Sequence, residues 1–263
     1  MENIPDEVES AGLVRLDELL RRIEPLRERI VALHAEPGSR TAEDDLATPY
    51  DPLSYQVHHL ASAALDQLET LHDVVVRAEA FRMLGNYSLI RAAIEAAGLG
   101  IWLLTPGRKD ARIMRSLKLV LDQATKTVDL AAKLGHDRTA WLARVEARLL
   151  ELQHSRKALR QRTMKTKPII PTMTEVLLEV GQLVRGKDML PPVAAWSACA
   201  SMTHGNRLAQ MIVLERRKIG ELPTGGNAYM VTSSYAATAR LLETAIAMLT
   251  FLVTLAEQHN LAK

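Results

Sequence analysis

A single cysteine, Cys199, among 263 residues leaves no disulfide framework and no cysteine-based metal site. It sits among small residues in AAWSACAS, the setting of a buried structural thiol. Aromatic residues make up only 4% and are not interleaved with cations, which argues against a stacking platform for single-stranded nucleic acid. No run of 18 or more apolar residues is free of charge, because the longest, SLIRAAIEAAGLGIWLL (88–104), holds Arg91 and Glu95. A membrane span is therefore not expected. The opening MENIPDEVES is acidic and lacks the apolar core of a secretory signal. These absences lead to the expectation of a soluble cytoplasmic protein.

Other signatures are missing too. Strand and helix patterns do not alternate, which excludes dinucleotide-binding and barrel folds, and no repeat recurs at a fixed period. No phosphate loop, Ser/His/Asp set or zinc motif occurs, and no cofactor is implied.

What the chain has is apolar content, 48%, arranged with helical period. Leu13, Leu16, Leu19, Leu20, Ile23, Leu26, Ile30 and Leu33 form one stripe, with a break expected at Pro25. A connector follows, and a helix is predicted over PLSYQVHHLASAALDQLETLHDVVVRAEAF. Gly135 reads as a helix stop and Asp137 as a cap on a helix running to Arg162. Pro168 and Pro171 break the chain before Thr172 or Thr174 caps the next helix. The pattern predicts an all-α helical bundle of about eight helices, with a short strand pair or ordered loop near 219–232. Residues 1–48 read as an amphipathic helix with its connector, and 49–263 as the main helical domain.

Charge is uneven. Residues 1–104 hold 9 Lys/Arg against 18 Asp/Glu, whereas 105–167 hold 16 against 6. The densest stretch, RKALRQRTMKTK, carries Arg156, Lys157, Arg160, Arg162, Lys165 and Lys167 with no acid. Such a run neutralises phosphates of RNA or another polyanion, or docks on acidic parts of the same or a second chain. PTGGNAY could bend around an anion, although a flexible loop is the plainer reading.

Two polar stripes interrupt apolar helices. Ser88, Arg91 and Glu95 share one face, with Trp102 two turns further on; Ser197, Ser201 and His204 share another. His204 precedes Gly205 at a helix end, where a cation is favoured. If the two helices pack, Arg91, Glu95, Ser201 and His204 form one buried polar cluster with a catalytic character. An Arg and a Glu four apart also satisfy each other, so the same residues serve a purely structural role equally well.

RAAIEAAGLGIWLL, followed about a hundred residues later by WSACASMTHG, resembles a group of uncharacterised bacterial helical proteins broadly similar to the HEPN superfamily of nucleotide-binding and RNA-cleaving bundles. The resemblance covers residues 55–260. It implies a homodimer in which an Arg, separated from a following His by four to six residues, meets RNA at a helix end. In such a site the His acts as acid or base and the Arg stabilises the phosphate in flight. No Arg stands at that distance before His204; the spacing occurs instead at Arg27 or Arg29 with His34 and at Arg148 with His154.

Two Glu-x-x-His motifs, Glu69/His72 and Glu151/His154, fit the ligand pattern of a ferritin-like di-metal bundle completed by Glu95 and Glu24 or Glu28. The apolar stripe of the second helix turns Glu151 and His154 away from such a centre, and no metal site is assigned. The adjacent His58 and His59 diverge around a helix and cannot share one metal. These residues lead to the expectation of a HEPN-like helical protein engaging RNA or another polyanion, with a ribonuclease-type toxin or defence factor as one form it can take. A non-catalytic homo-oligomeric interaction protein is the alternative.

Overall fold

The computed structural model describes residues 5–186 and 189–262. Residues 1–4 of the acidic opening and 187–188 of RGKDMLPP lie outside the described residues. Of the described residues 68% are helical, with one two-stranded sheet among them, so the all-α class holds. It divides into two compact units. The first comprises Met1–Ala32, Leu60–Gly98 and Leu177–Val253, and the second Leu33–His59, Leu99–Val176 and Thr254–Lys263. Helices α4 (Leu53–His72), α5 (Gly85–Leu104) and α11 (Tyr235–Asn260) contribute residues to both. By length and composition α5 and α11 would suffice to cross a bilayer, and 61% of each apolar window is buried in the protein.

In the first unit the N-terminal stripe forms α1 (Asp6–Leu20) and α2 (Ile23–Val31). Leu16, Leu19, Leu20, Ile23, Leu26 and Ile30 are buried, whereas Leu13 is 49% exposed and Gly12 takes the inward position. The break falls at Arg21 and Arg22, not at Pro25. Pro25 occupies the first turn of α2, where its missing N–H has no intrahelical acceptor to lose. Helix α4 also ends early: Asp73–Arg77 forms a π-helical turn in place of the α-helix expected to reach Phe81. Three successive valines, Val74 to Val76, crowd the preceding turn there.

Pro192 opens α9 (Pro192–Thr203) as its first residue. The helix ends as GN predicts: Gly205 takes a φ of 68°, and Asn206 N–H reaches back to the Ser201 carbonyl at 3.0 Å. Asn206 Oδ1 then accepts from the Leu208 and Ala209 amides and starts α10 (Arg207–Val213). The anticipated strand pair is β1 (Glu215–Glu221) with antiparallel β2 (Asn227–Thr232), and PTGGNAY supplies its turn through positive φ at Gly225 and Gly226. At the start of α11, Ser234 Oγ accepts from Ala237 N–H and Glu9 Oε2 from Tyr235 N–H at 2.7 Å, which ties α1 to that helix.

The second unit is built on α6 (Lys109–Lys133) and α7 (Thr139–Ser155), whose core joins Ile113, Met114, Leu117, Leu121, Leu149, Leu159 and Met164. Gly135 at φ 80° closes α6, with His136 N–H on the Ala131 carbonyl and Gly135 N–H on that of Ala132. Asp137 Oδ1 accepts from the Thr139 amide and hydroxyl, which lowers its carboxyl below the usual range. Helix α7 stops at Ser155 rather than continuing to Arg162. Ser155 Oγ bonds the Leu152 carbonyl, a local alternative to the helical ladder. Before α8 (Met173–Val180), Thr172 and Glu175 exchange side-chain and amide hydrogen bonds as a capping box.

The connector 34–48 is less irregular than its composition suggests. Ser39 Oγ accepts from Ala42 N–H and caps α3 (Arg40–Asp45). Asp44 then meets Arg112 of α6 through two bonds of 2.6 and 3.2 Å, both side chains being buried.

Candidate functional site

The first unit brings the two polar stripes together. Glu95 Oε1 accepts from Arg91 Nε at 2.9 Å and from Trp196 Nε1 at 2.6 Å. Arg91 also lies over the Trp196 ring, 5.6 Å from its centroid. Its Nη1 stands 3.5 Å from His204 Nε2. A guanidinium has donors only, so that ring nitrogen faces it with a lone pair. Ser88 Oγ and Thr203 Oγ1 are 3.3 Å apart. Two pairs seven residues apart, Ser88 with Glu95 and Trp196 with Thr203, thus match in antiparallel order on α5 and α9.

The expected buried cluster is therefore an open one. The Arg91 and Glu95 side chains are 25% and 32% exposed, and His204 is exposed at the end of α9. Ser201 lies two residues before the Thr203 that meets Ser88, and its hydroxyl makes no hydrogen bond among the described residues. Ser197 is exposed. The residue missed by spacing is Trp196, adjacent in sequence to the stripe and about 100° around the helix from it. Trp102 is buried; Arg115 stands over its ring at 4.6 Å and donates to its carbonyl at 2.6 Å.

Chemically the group has a fixed guanidinium and an exposed imidazole. Glu95 and the indole hold Arg91 on one side, and among the described residues Arg91 Nη2 meets no acceptor. Cys199, on the same helix, is fully buried, and burial pushes its thiol up to about 12 against the opposing charge of Arg91. It is no nucleophile at neutral pH.

Of the remaining matches, Arg27 and Arg29 belong to the first unit and His34 to the second. Arg27 Nε binds Glu69 at 2.7 Å. Arg148 stacks on Tyr50, 5.1 Å from its centroid, whereas His154, six residues later on the same helix, lies about 240° around the axis. His72 lies 3.2 Å from Asp73, and the two Glu-x-x-His motifs belong to different units. Among the described residues no three His, Cys, Asp or Glu side chains gather as a metal cluster.

The basic stretch 156–167 is an ordered segment of the second unit. Leu159 and Met164 anchor it in the core, and Gln153 Nε2 donates to the Leu159 and Arg162 carbonyls. Arg156 pairs with Asp110 at 2.8 Å and Lys165 with Glu146 at 2.5 Å. Among the described residues Arg160 donates only to the His154 carbonyl. Lys157, Arg162 and Lys167 are exposed and have no ion-pair partner among the described residues. Four cations of the six thus keep their charge available.

Compared with known protein families, curated proteins and solved structures, the chain finds no match.

Proposed function

We propose that this chain engages RNA and that Arg91, Glu95 and His204 form a phosphodiester site. The observation that carries the reading is the 3.5 Å approach of Arg91 Nη1 to the exposed His204 Nε2, with Glu95 fixing the guanidinium from the other side. Arg91 then offers its remaining donors to non-bridging phosphate oxygens and balances the charge that grows there. His204 exchanges a proton with the attacking or leaving oxygen. Lys157, Arg160, Arg162 and Lys167 supply a sequence-independent attraction to the backbone.

Purified full-length protein should cleave single-stranded RNA. His204→Ala should lower that rate by at least about a hundredfold, the scale of a lost acid or base. Neutralising Lys157, Arg160, Arg162 and Lys167 to Gln should weaken RNA binding and flatten its salt dependence by up to about three units of log–log slope. Absence of cleavage by the wild type, or unchanged cleavage in His204→Ala, overturns the catalytic role; absence of binding at low salt overturns RNA engagement.

A second reading has its own support. Leu208 and Ile212 of α10 and Ile219 of the hairpin are 72%, 70% and 64% exposed, an apolar surface suited to a second copy of the chain. A homo-oligomer that fails to bind RNA at low salt favours this non-catalytic interaction protein.

A further inference from the structure

We infer that the second unit holds a site for a small tetrahedral oxyanion, a phosphate ion or the terminal group of a phosphate monoester, in the cavity lined by Arg40, Lys109 and Arg112. The cavity measures about 160 Å³ and is completed by Gly38, Glu43 and Gly107. Drug-sized ligands need about 300 Å³ or more, so the space suits one compact polar group. None of these residues belongs to the Arg91 group, and the two sites stand or fall separately.

Three cations converge here and are neutralised unequally. Arg112 is buried and locked: Asp44 holds it from one side, and the Pro106 and Gly107 carbonyls accept from its Nη1 at 2.9 and 3.2 Å. Lys109 pairs with Glu43 at 3.1 Å, in a contact whose side chains are 33% and 58% exposed. Arg40 is held by an imidazole nitrogen and a backbone carbonyl, with Nη1 3.4 Å from His259 Nε2 and Nη2 3.3 Å from the Gly107 carbonyl. Among the described residues it meets no carboxylate. Acceptors of this kind aim a guanidinium without cancelling its charge.

The balance is therefore three positive side chains against Asp44 and Glu43, on concave walls that concentrate the field. The positive end of α6 adds to it, since Gly107 and Lys109 line the rim. An oxyanion supplies the missing counter-charge, accepting from Arg40 and from Lys109 once Glu43 swings into solvent. Glu43 is then a competitor for the ligand rather than part of its site.

That competition gives variants of opposite sign. Inorganic phosphate is titrated into full-length protein by calorimetry, with thermal unfolding followed in phosphate and in chloride of equal ionic strength. Phosphate is expected to bind and to raise the unfolding temperature where chloride does not. Arg40→Gln and Lys109→Gln should each weaken binding by about tenfold, the worth of a charge-assisted bond. Glu43→Gln should strengthen it, and Lys133→Gln, exposed in the last turn of α6, should leave it unchanged. Competition by a nucleoside 5′-monophosphate marks an ester as the source of the group, and its failure to compete marks the free ion. No phosphate effect beyond chloride, or Arg40→Gln binding like the wild type, overturns the site. Weaker binding in Glu43→Gln does so as well, even if Arg40→Gln proves too unstable to assay.

Discussion

Arg112→Met is expected to lose about 3–5 kcal/mol of stability at neutral pH, because it strands a buried carboxylate. Asp44 is 1% exposed and Arg112 3% exposed, so the carboxylate loses its principal counter-charge while itself remaining shielded from bulk solvent. Burial already raises the Asp44 carboxyl above its ordinary value, and Arg112 is the main influence opposing that rise. Without Arg112 the carboxyl rises further. A carboxyl with a raised folded-state pKa favours folding most below its unfolded value and loses that contribution as pH climbs through the folded one. The deficit of the variant should therefore be full at pH 7 and shrink as the pH falls toward the ordinary carboxylate range. Urea unfolding at pH 7 and pH 5 measures both quantities. Adding Asp44→Asn should recover the part due to the stranded charge. A deficit below about 1 kcal/mol, or one that grows on acidification, would show that the pair does not fasten α3 to α6.

Gly12→Ala should also destabilise the protein, although alanine is the better helix former by about 1 kcal/mol. A methyl group at Gly12 would lie 2.4 Å from the amide nitrogen of Ala236 and 2.5 Å from its Cα, closer than carbon and backbone can approach. Those atoms belong to the first turns of α11 and cannot rotate away as a side chain could. One helix has to back off the other, and the expected net loss is about 1–3 kcal/mol. Ala236→Gly should not rescue the variant, because the obstacle is main chain rather than methyl. Rescue, or a rise in stability from Gly12→Ala alone, would refute the close approach.

Gly12 also shows where sequence reading reaches its limit. Periodicity finds Leu16, Leu19, Leu20, Ile23, Leu26 and Ile30, whose burial follows from apolar side chains recurring every third or fourth position. It assigns Leu13 to the same face, since a glycine has no hydrophobicity to register and its role is to be thin. Pro25 misleads in the opposite way: a proline marks a helix break only when a full turn precedes it, and here the turn before it is the break. The stops at Gly135 and Gly205 and the cap at Thr172 are legible because they are local backbone chemistry.

The site was legible in part. Arg91, Glu95 and His204 stand out as charges in apolar helices, and they meet. Trp196 does not stand out, since an aromatic in an apolar helix reads as core. Only the antiparallel match of Ser88 and Glu95 with Thr203 and Trp196, each seven apart, could have indicated it. The neutralisation of Arg156 by Asp110 and of Lys165 by Glu146 depends on how α6, α7 and the segment after them fold back on one another. Local charge counting cannot see that, and it overstates the free charge of the stretch by two.

Cys199 gives the molecule a built-in clock. It is the only sulfhydryl in the chain, and its burial on α9 with a pKa pushed up to about 12 keeps it silent toward alkylating reagents while that helix is seated. Every labelling event then counts one excursion in which α9, and with it Trp196 and His204, has come away from its packing. Labelling slowed by added RNA would register engagement of the same helix, with no dye, tag or substitution added to the protein.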